Sequence, residues 1–162
     1  MDYAALLQKR AERIMEQIKL NDNISIGGQP TAAELEHLKE LGFKTIFNLR
    51  GEDEENTTLS PSDEADKVQE LDMIYKHLPV DMDVVSDEQV DHFRREMAEA
   101  PAPIFVHCSS GRRAGTFAMM EQAVANNMTG EEALKAAQKV GFVCDAPEMA
   151  KFICTYVDAH KQ

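Results

Sequence analysis

Two rhythms of apolar residues alternate along this chain of 162 residues. The first consists of short runs rich in β-branched and aromatic side chains: Ile24-Ser25-Ile26, Lys44 to Leu49, Met73 to Leu78 and Ile104-Phe105-Val106. Glycine, proline or a polar cluster stops each of them, so they read as strands. The second rhythm has helical spacing. Leu35, Leu38 and Leu41 share one face, opened by Pro30-Thr31 with Thr31 and Glu34 as a capping box and closed by Gly42. Residues 63–71 predict a short helix, and a helix from Ser86 and Gln89 runs to about Ala100. Residues 112–126 are apolar on most sides and predict a buried helix. Thr129 with Glu132 caps the next helix, and Asp145-Ala146-Pro147-Glu148 opens the last.

Strands alternating with helices predict an α/β fold. The expected form is a single three-layer domain whose central, mostly parallel sheet of four to five strands is flanked by helices. Leu6, Leu7, Ile14 and Ile18 add an N-terminal helix within residues 1–21, packed on a domain spanning 22–162. Residues 51–63 are acidic and polar and read as a mobile loop.

Composition narrows the partners. With 17 basic against 29 acidic residues the net charge is −12. A nucleic acid is therefore not expected, because its phosphates need a basic face; a small anion in a local basic pocket remains open. The three cysteines, Cys108, Cys144 and Cys154, have neither the number nor the spacing of a disulfide framework or a zinc site. No apolar run approaches the roughly 20 residues of a membrane span. The charged, amphipathic N-terminus is not that of a signal peptide, and a free thiol suits a reducing cytoplasm.

The chemistry concentrates in Pro103 to Gly115. A strand ends in Cys108, a turn of Ser109, Ser110 and Gly111 follows, then Arg112 and Arg113 open a helix. The first N–H groups of a helix and its dipole favour anions and make a thiol a better nucleophile. Gly111 permits backbone angles that a Cβ would block, and small Ser109 and Ser110 let successive N–H groups form an anion nest. Arg113 offers a planar clamp for a tetrahedral oxyanion, and Arg112 either faces solvent or recruits anions. His107 alternates away from Cys108 and either holds the loop by hydrogen-bonding nearby backbone or is simply a satisfied, half-buried histidine. Cys144 reads as structural, with a resolving thiol for Cys108 as the alternative.

His107-Cys108-Ser109-Ser110-Gly111 resembles the signature of cysteine-dependent phosphatases. With Ile26-Gly27-Gly28-Gln29-Pro30-Thr31, Phe43 to Arg50 and His77-Leu78-Pro79-Val80, the chain resembles the DUF442, or beta-lactamase-hydrolase-like, phosphatase family over about residues 22–128. That family lies within the dual-specificity protein tyrosine phosphatase-like superfamily. The resemblance implies a phosphomonoesterase in which Cys108 attacks phosphorus and forms a phosphocysteine. Ser109, Ser110, Gly111, Arg112 and Arg113 would bind the phosphate, with no metal or cofactor. A phosphorylated small molecule or phosphoprotein would be the substrate, and a phosphate- or sulfate-like anion would sit in the loop. It also implies a general-acid aspartate three residues after the proline that closes the third strand. Counted from Pro79 that position is Met82, flanked by Asp81 and Asp83, so either is the candidate.

The loop departs from the superfamily pattern of Cys-x5-Arg followed by a hydroxyl residue: Arg113 comes one place early and Ala114 follows it. A shorter cradle keeps two other readings open: a rhodanese-like sulfurtransferase carrying a persulfide on Cys108, and a catalytically weak anion-binding module.

Overall fold

A computed structural model describes residues 17–51, 59–144 and 146–162. Five strands, β1 (Ile18–Lys19), β2 (Ile24–Gly27), β3 (Thr45–Asn48), β4 (Ile74–His77) and β5 (Ile104–His107), form one sheet in the order β1-β2-β5-β3-β4. All neighbours run parallel except β1 on β2. The helices are α1 (Ala32–Glu40), α2 (Pro61–Glu70), α3 (Asp87–Glu99), α4 (Arg112–Ala125), α5 (Gly130–Lys139) and α6 (Pro147–Ala159). The expected three-layer α/β domain with a mostly parallel sheet is the observed architecture.

Side-chain alternation on the central strands divides the core in two. Ile104 and Val106 of β5, with Phe47 and Leu49 of β3, face one side, where Phe93 of α3 and Phe117 of α4 meet them. The rings of Phe47, Phe93 and Phe117 stack edge to face with centroids 5.7 and 5.6 Å apart, an arrangement that adds to simple area burial. Phe105 of β5 and Ile46 of β3 face the other side, against Leu35 and Leu38 of α1 and Val68 of α2. Cys108 continues the first face, and His107 belongs to the second.

Three capping boxes, at Thr31/Glu34, Ser86/Gln89 and Thr129/Glu132, are formed as the sequence indicates. Two expectations are corrected. The helix predicted within residues 1–21 does not reach its end: Ile18–Lys19 is an edge strand that pairs with Ser25 and Ile26. Pairing satisfies backbone groups along β2, a gain that helical periodicity alone does not register. The remainder of that expected helix, up to residue 16, lies outside the described residues. Likewise, Ser60-Pro61-Ser62 is not loop. Ser60 caps α2, its side chain accepting from the Asp63 N–H at 3.1 Å, and Pro61 takes the first turn, where its missing N–H is harmless. Residues 52–58 of the expected loop lie outside the described residues.

The α5–α6 contact is a backbone approach. A Cβ on Gly130 would sit 2.3 Å from the Cα of Cys154, and the Gly130 N–H donates to Asp158 Oδ1 at 2.7 Å. Gly130→Ala must push the two helices apart, at about 1–3 kcal/mol for overpacking. Urea denaturation should show that loss; an unchanged midpoint would contradict the close approach.

Candidate active site

Parallel strands place functional groups beyond their carboxyl ends, and here three such ends meet. β5 delivers His107 and Cys108, β2 delivers Gly27 and Gly28, and β3 delivers Asn48 to Arg50. The Cys108 thiol is buried at the base of the loop, and the Cys108 N–H donates to the Gly27 carbonyl at 3.4 Å. Ser109 and Ser110 are exposed at the mouth. Gly111 turns the chain into α4 with φ +97° and donates its N–H to Cys108 Sγ at 3.0 Å. The sulfur thus already receives one of the loop's N–H groups. Arg113, in the first turn of α4, reaches back over the loop: Nη2 donates to Ser109 Oγ at 3.1 Å and Nη1 to the Val80 carbonyl at 3.3 Å. Arg112 points outward and is exposed.

Below the loop lies a layer of buried polar groups. His107, Arg50, Asn48 and Glu64 are all fully buried. His107 Nδ1 lies 3.3 Å from the Cys108 carbonyl oxygen, and because a carbonyl only accepts, that nitrogen carries the hydrogen. Nε2 of the same ring is 2.5 Å from Glu64 Oε2. His107 is expected to hydrogen-bond nearby backbone; its ring lies 3.3 Å from one loop carbonyl, and its shorter contact, at 2.5 Å, is to a carboxylate. Gln29 joins three groups. Its N–H donates to the Ser109 carbonyl at 3.2 Å, its Nε2 donates to Glu64 Oε1 at 2.6 Å, and its Oε1 accepts from Arg50 Nη1. The Arg50 carbonyl meets His77 Nε2 at 2.6 Å, and Asn48 Nδ2 donates to the Tyr75 hydroxyl at 3.0 Å. Burial pushes the Tyr75 phenol up from its ordinary value, and the Glu64 charge adds to the shift. Tyr75 therefore stays a neutral hydroxyl throughout the working range of a protein.

The two aspartates are not equivalent. Asp81 and Arg113 together line a cleft of about 530 Å³ with Gly51, Pro79, Val80, Met82 and Gln89. Both aspartates are exposed, but Asp83 is not part of that wall. Asp81 also opens a short 3₁₀ turn over Met82–Val84, accepting the Asp83 N–H through Oδ1 at 2.9 Å. A second cleft, of about 270 Å³, brings Met82 and Arg112 to Phe142, Val143, Cys144 and Met149. Cys144 thus lies beside the site, while Cys108 is buried apart from that wall; all three cysteines are free. Among the described residues no cluster of three or more histidine, cysteine or acidic side chains is placed to hold a metal ion.

Sequence reasoning missed Glu64. It sits among polar residues in Pro61 to Glu70, where an acid looks solvated. Its one available signal was phase: Glu64 is four residues before buried Val68, on the same face of α2. Gln29 ties the loop to the buried layer, its backbone N–H holding the Ser109 carbonyl and its side chain meeting Glu64.

A thiol at the carboxyl end of a central parallel strand, under an N–H loop that feeds an arginine-bearing helix, is an arrangement of the dual-specificity phosphatase-like fold. Residues 3–152 match the family described as "DSP-PTPase phosphatase fused to NAD+ Kinase", and the chain belongs to that family. It is 32% identical over 110 residues to a beta-lactamase hydrolase-like protein of Agrobacterium fabrum, covering 68% of this chain and 26% of that one. A similarly named protein of Xylella fastidiosa is 25% identical over 128 residues, covering 79% and 30%. The chain therefore spans less than a third of the length of these relatives. A DUF442 structure from Shewanella putrefaciens superposes with a TM-score of 0.75 at 21% identity, covering 94% of this chain and 97% of that one. TpbA of P. aeruginosa, solved in complex with pTyr, superposes at 0.72 with 20% identity, covering 91% and 88%. The family is thus a dual-specificity phosphatase-like one, and the fold is shared with the DUF442 structure.

Gly111→Ala tests the loop geometry. A side chain at φ +97° is strained, and its Cβ would come 3.4 Å from the Gly27 carbonyl carbon. The left-handed conformation alone costs about 1–2 kcal/mol. The variant should melt lower and protect Cys108 from alkylation less well in the presence of phosphate; protection equal to wild type would show that the turn tolerates a side chain.

Proposed function

We propose that this chain hydrolyses phosphomonoesters through a phosphocysteine on Cys108. The observation that carries the reading is the joint position of Cys108, Gly111 and Arg113. A buried sulfur receives an N–H at 3.0 Å, while the arginine folds back over the same loop at 3.1 Å. Preorganised donors aimed where charge develops are the dominant catalytic effect in such sites. The pTyr bound to TpbA supports a phosphorylated substrate for this fold, and the family description supports phosphatase chemistry.

The Cys108 thiolate attacks phosphorus, forming an S–P bond as the ester P–O bond breaks. N–H groups of the loop and the Arg113 guanidinium hold the non-bridging oxygens. Asp81, which shares the 530 Å³ cleft with Arg113, gives its carboxyl proton to the departing oxygen. In the second step water loses a proton to Asp81 and attacks phosphorus, the S–P bond breaks, and phosphate and the thiolate are released. Asp81 is favoured over Asp83 because only Asp81 lines the cleft with Arg113. Ser109, Ser110 and Gly111 supply N–H groups, and exposed Arg112 draws the anion toward the mouth.

Three variants test the assignment. Cys108→Ser should abolish turnover of an aryl phosphate. Asp81→Asn should lower it by ~10²–10⁴, the usual contribution of a general acid, and more so for alkyl than for aryl leaving groups. Asp83→Asn should stay near wild type. Turnover that survives Cys108→Ser sinks the nucleophile. Sulfur transfer from thiosulfate to cyanide without phosphatase turnover would point to the persulfide reaction, and phosphate binding without either activity to an anion-binding module.

A further inference from the structure

The planar trans peptide couples the two ends of each loop unit. The C=O of one residue and the N–H of the next point in opposite directions. A group that holds a carbonyl therefore aims the following N–H. The Cys108 carbonyl is held by His107 Nδ1 at 3.3 Å, which directs the Ser109 N–H the other way. The Ser109 carbonyl is held by the Gln29 N–H at 3.2 Å, which does the same for the Ser110 N–H. The buried His107 ring and the half-buried Gln29 backbone N–H both hold the loop from below, so both N–H groups turn away from them, toward the mouth of the loop where an anion enters.

One side chain secures both holders. Glu64 Oε2 meets His107 Nε2 at 2.5 Å, and Glu64 Oε1 accepts from Gln29 Nε2 at 2.6 Å. Glu64 is fully buried, so neither oxygen has water as an alternative, and giving up either contact carries the full desolvation cost of a buried acceptor. His107 has no second acceptor for Nε2 among the described residues, so its ring is fixed at both nitrogens. Arg50 completes the arrangement by donating to Gln29 Oε1, which settles which end of the Gln29 amide faces Glu64.

We propose that Glu64 is a positioning residue for the phosphate site: through His107 and Gln29 it aims the Ser109 and Ser110 N–H groups at the bound oxyanion. It touches neither substrate nor sulfur. The role is one of direction rather than charge. A glutamine at position 64 can accept from Gln29 through its oxygen and donate to His107 Nε2 through its amide, leaving Nδ1 to hold the Cys108 carbonyl. This inference rests on the phosphatase reading for its ligand, and its test does not need turnover.

The readout is alkylation of Cys108, followed by peptide mass mapping, with iodoacetate and with iodoacetamide. The two reagents differ by a carboxylate that the loop N–H groups can bind. Wild type should prefer iodoacetate, and vanadate should protect. Glu64→Ala should lose that preference and bind vanadate at least ~10-fold more weakly. Where turnover exists its kcat should fall ~10²-fold, the size seen on removing one oxyanion donor. Glu64→Gln should stay within about threefold of wild type on all readouts. Should Glu64→Ala fail to fold, Gln29→Met cuts one arm and should weaken vanadate binding while leaving the Cys108 rate with iodoacetamide unchanged. A folded Glu64→Ala with unaltered reagent preference and vanadate affinity overturns the proposal. So does a Glu64→Gln as impaired as Glu64→Ala, or a folded Gln29→Met with wild-type vanadate affinity. A wild type that lacks phosphatase turnover but keeps anion-guided alkylation would refute the proposed reaction and leave the role of Glu64 standing.

Discussion

A carboxylate shut away from water is the constraint around which the reacting end of this molecule is arranged. Glu64 has no solvent exposure, and a buried polar group is costly without hydrogen-bond partners. Its partners come from distant parts of the chain, His107 from the end of β5 and Gln29 from the turn after β2. Satisfying one side chain therefore locks α2, β2 and β5 at a single point below the Cys108 loop. Arg50, at the end of β3, closes the layer through Gln29. What begins as a desolvation problem ends as the rigidity of the loop.

The sheet makes that meeting possible. With β5 between β2 and β3, the residues just past three parallel strands fall side by side, and their alternating faces assign each a task. Cys108 continues the face of Val106 and Ile104 toward α4, where the helix begins and its N–H groups collect. His107 continues the face of Phe105 toward α1 and α2, where the ring stacks on Phe105 with centroids 6.0 Å apart. Adjacent residues thus serve opposite sides of the sheet: one carries the buried thiol and the other meets the carbonyl of the peptide that follows it.

The parts that were legible in the sequence are those written in neighbouring residues. Strand runs, capping boxes and the Cys108–Arg113 loop all depend on local chemistry, and each is found where the residues place it. The candidate aspartates were legible as a pair, but not which of them lines the cleft with Arg113; that is Asp81, and it depends on the path of the chain beyond Pro79. Glu64 was illegible because its partner His107 lies 43 residues away and its own neighbours are polar. The β1 edge was missed for a related reason: Ile18–Lys19 is too short to show a period of two, and its strand character comes from the β2 edge it covers.

The overall charge and the site pull in opposite directions. A net charge of −12 sets up a field that repels an approaching phosphate ester, and that field is screened within about 10 Å at ordinary ionic strength. The attraction must therefore be local and short in range. Donors within hydrogen-bonding distance meet that need, since two charges or dipoles at contact outweigh a diffuse surface potential several Debye lengths wide. This explains why orientation matters more here than the count of basic residues. With Arg113 folded over the loop and Arg112 at its rim, the aim of each backbone N–H carries a large share of the attraction. The buried layer beneath the loop is where that aim is set.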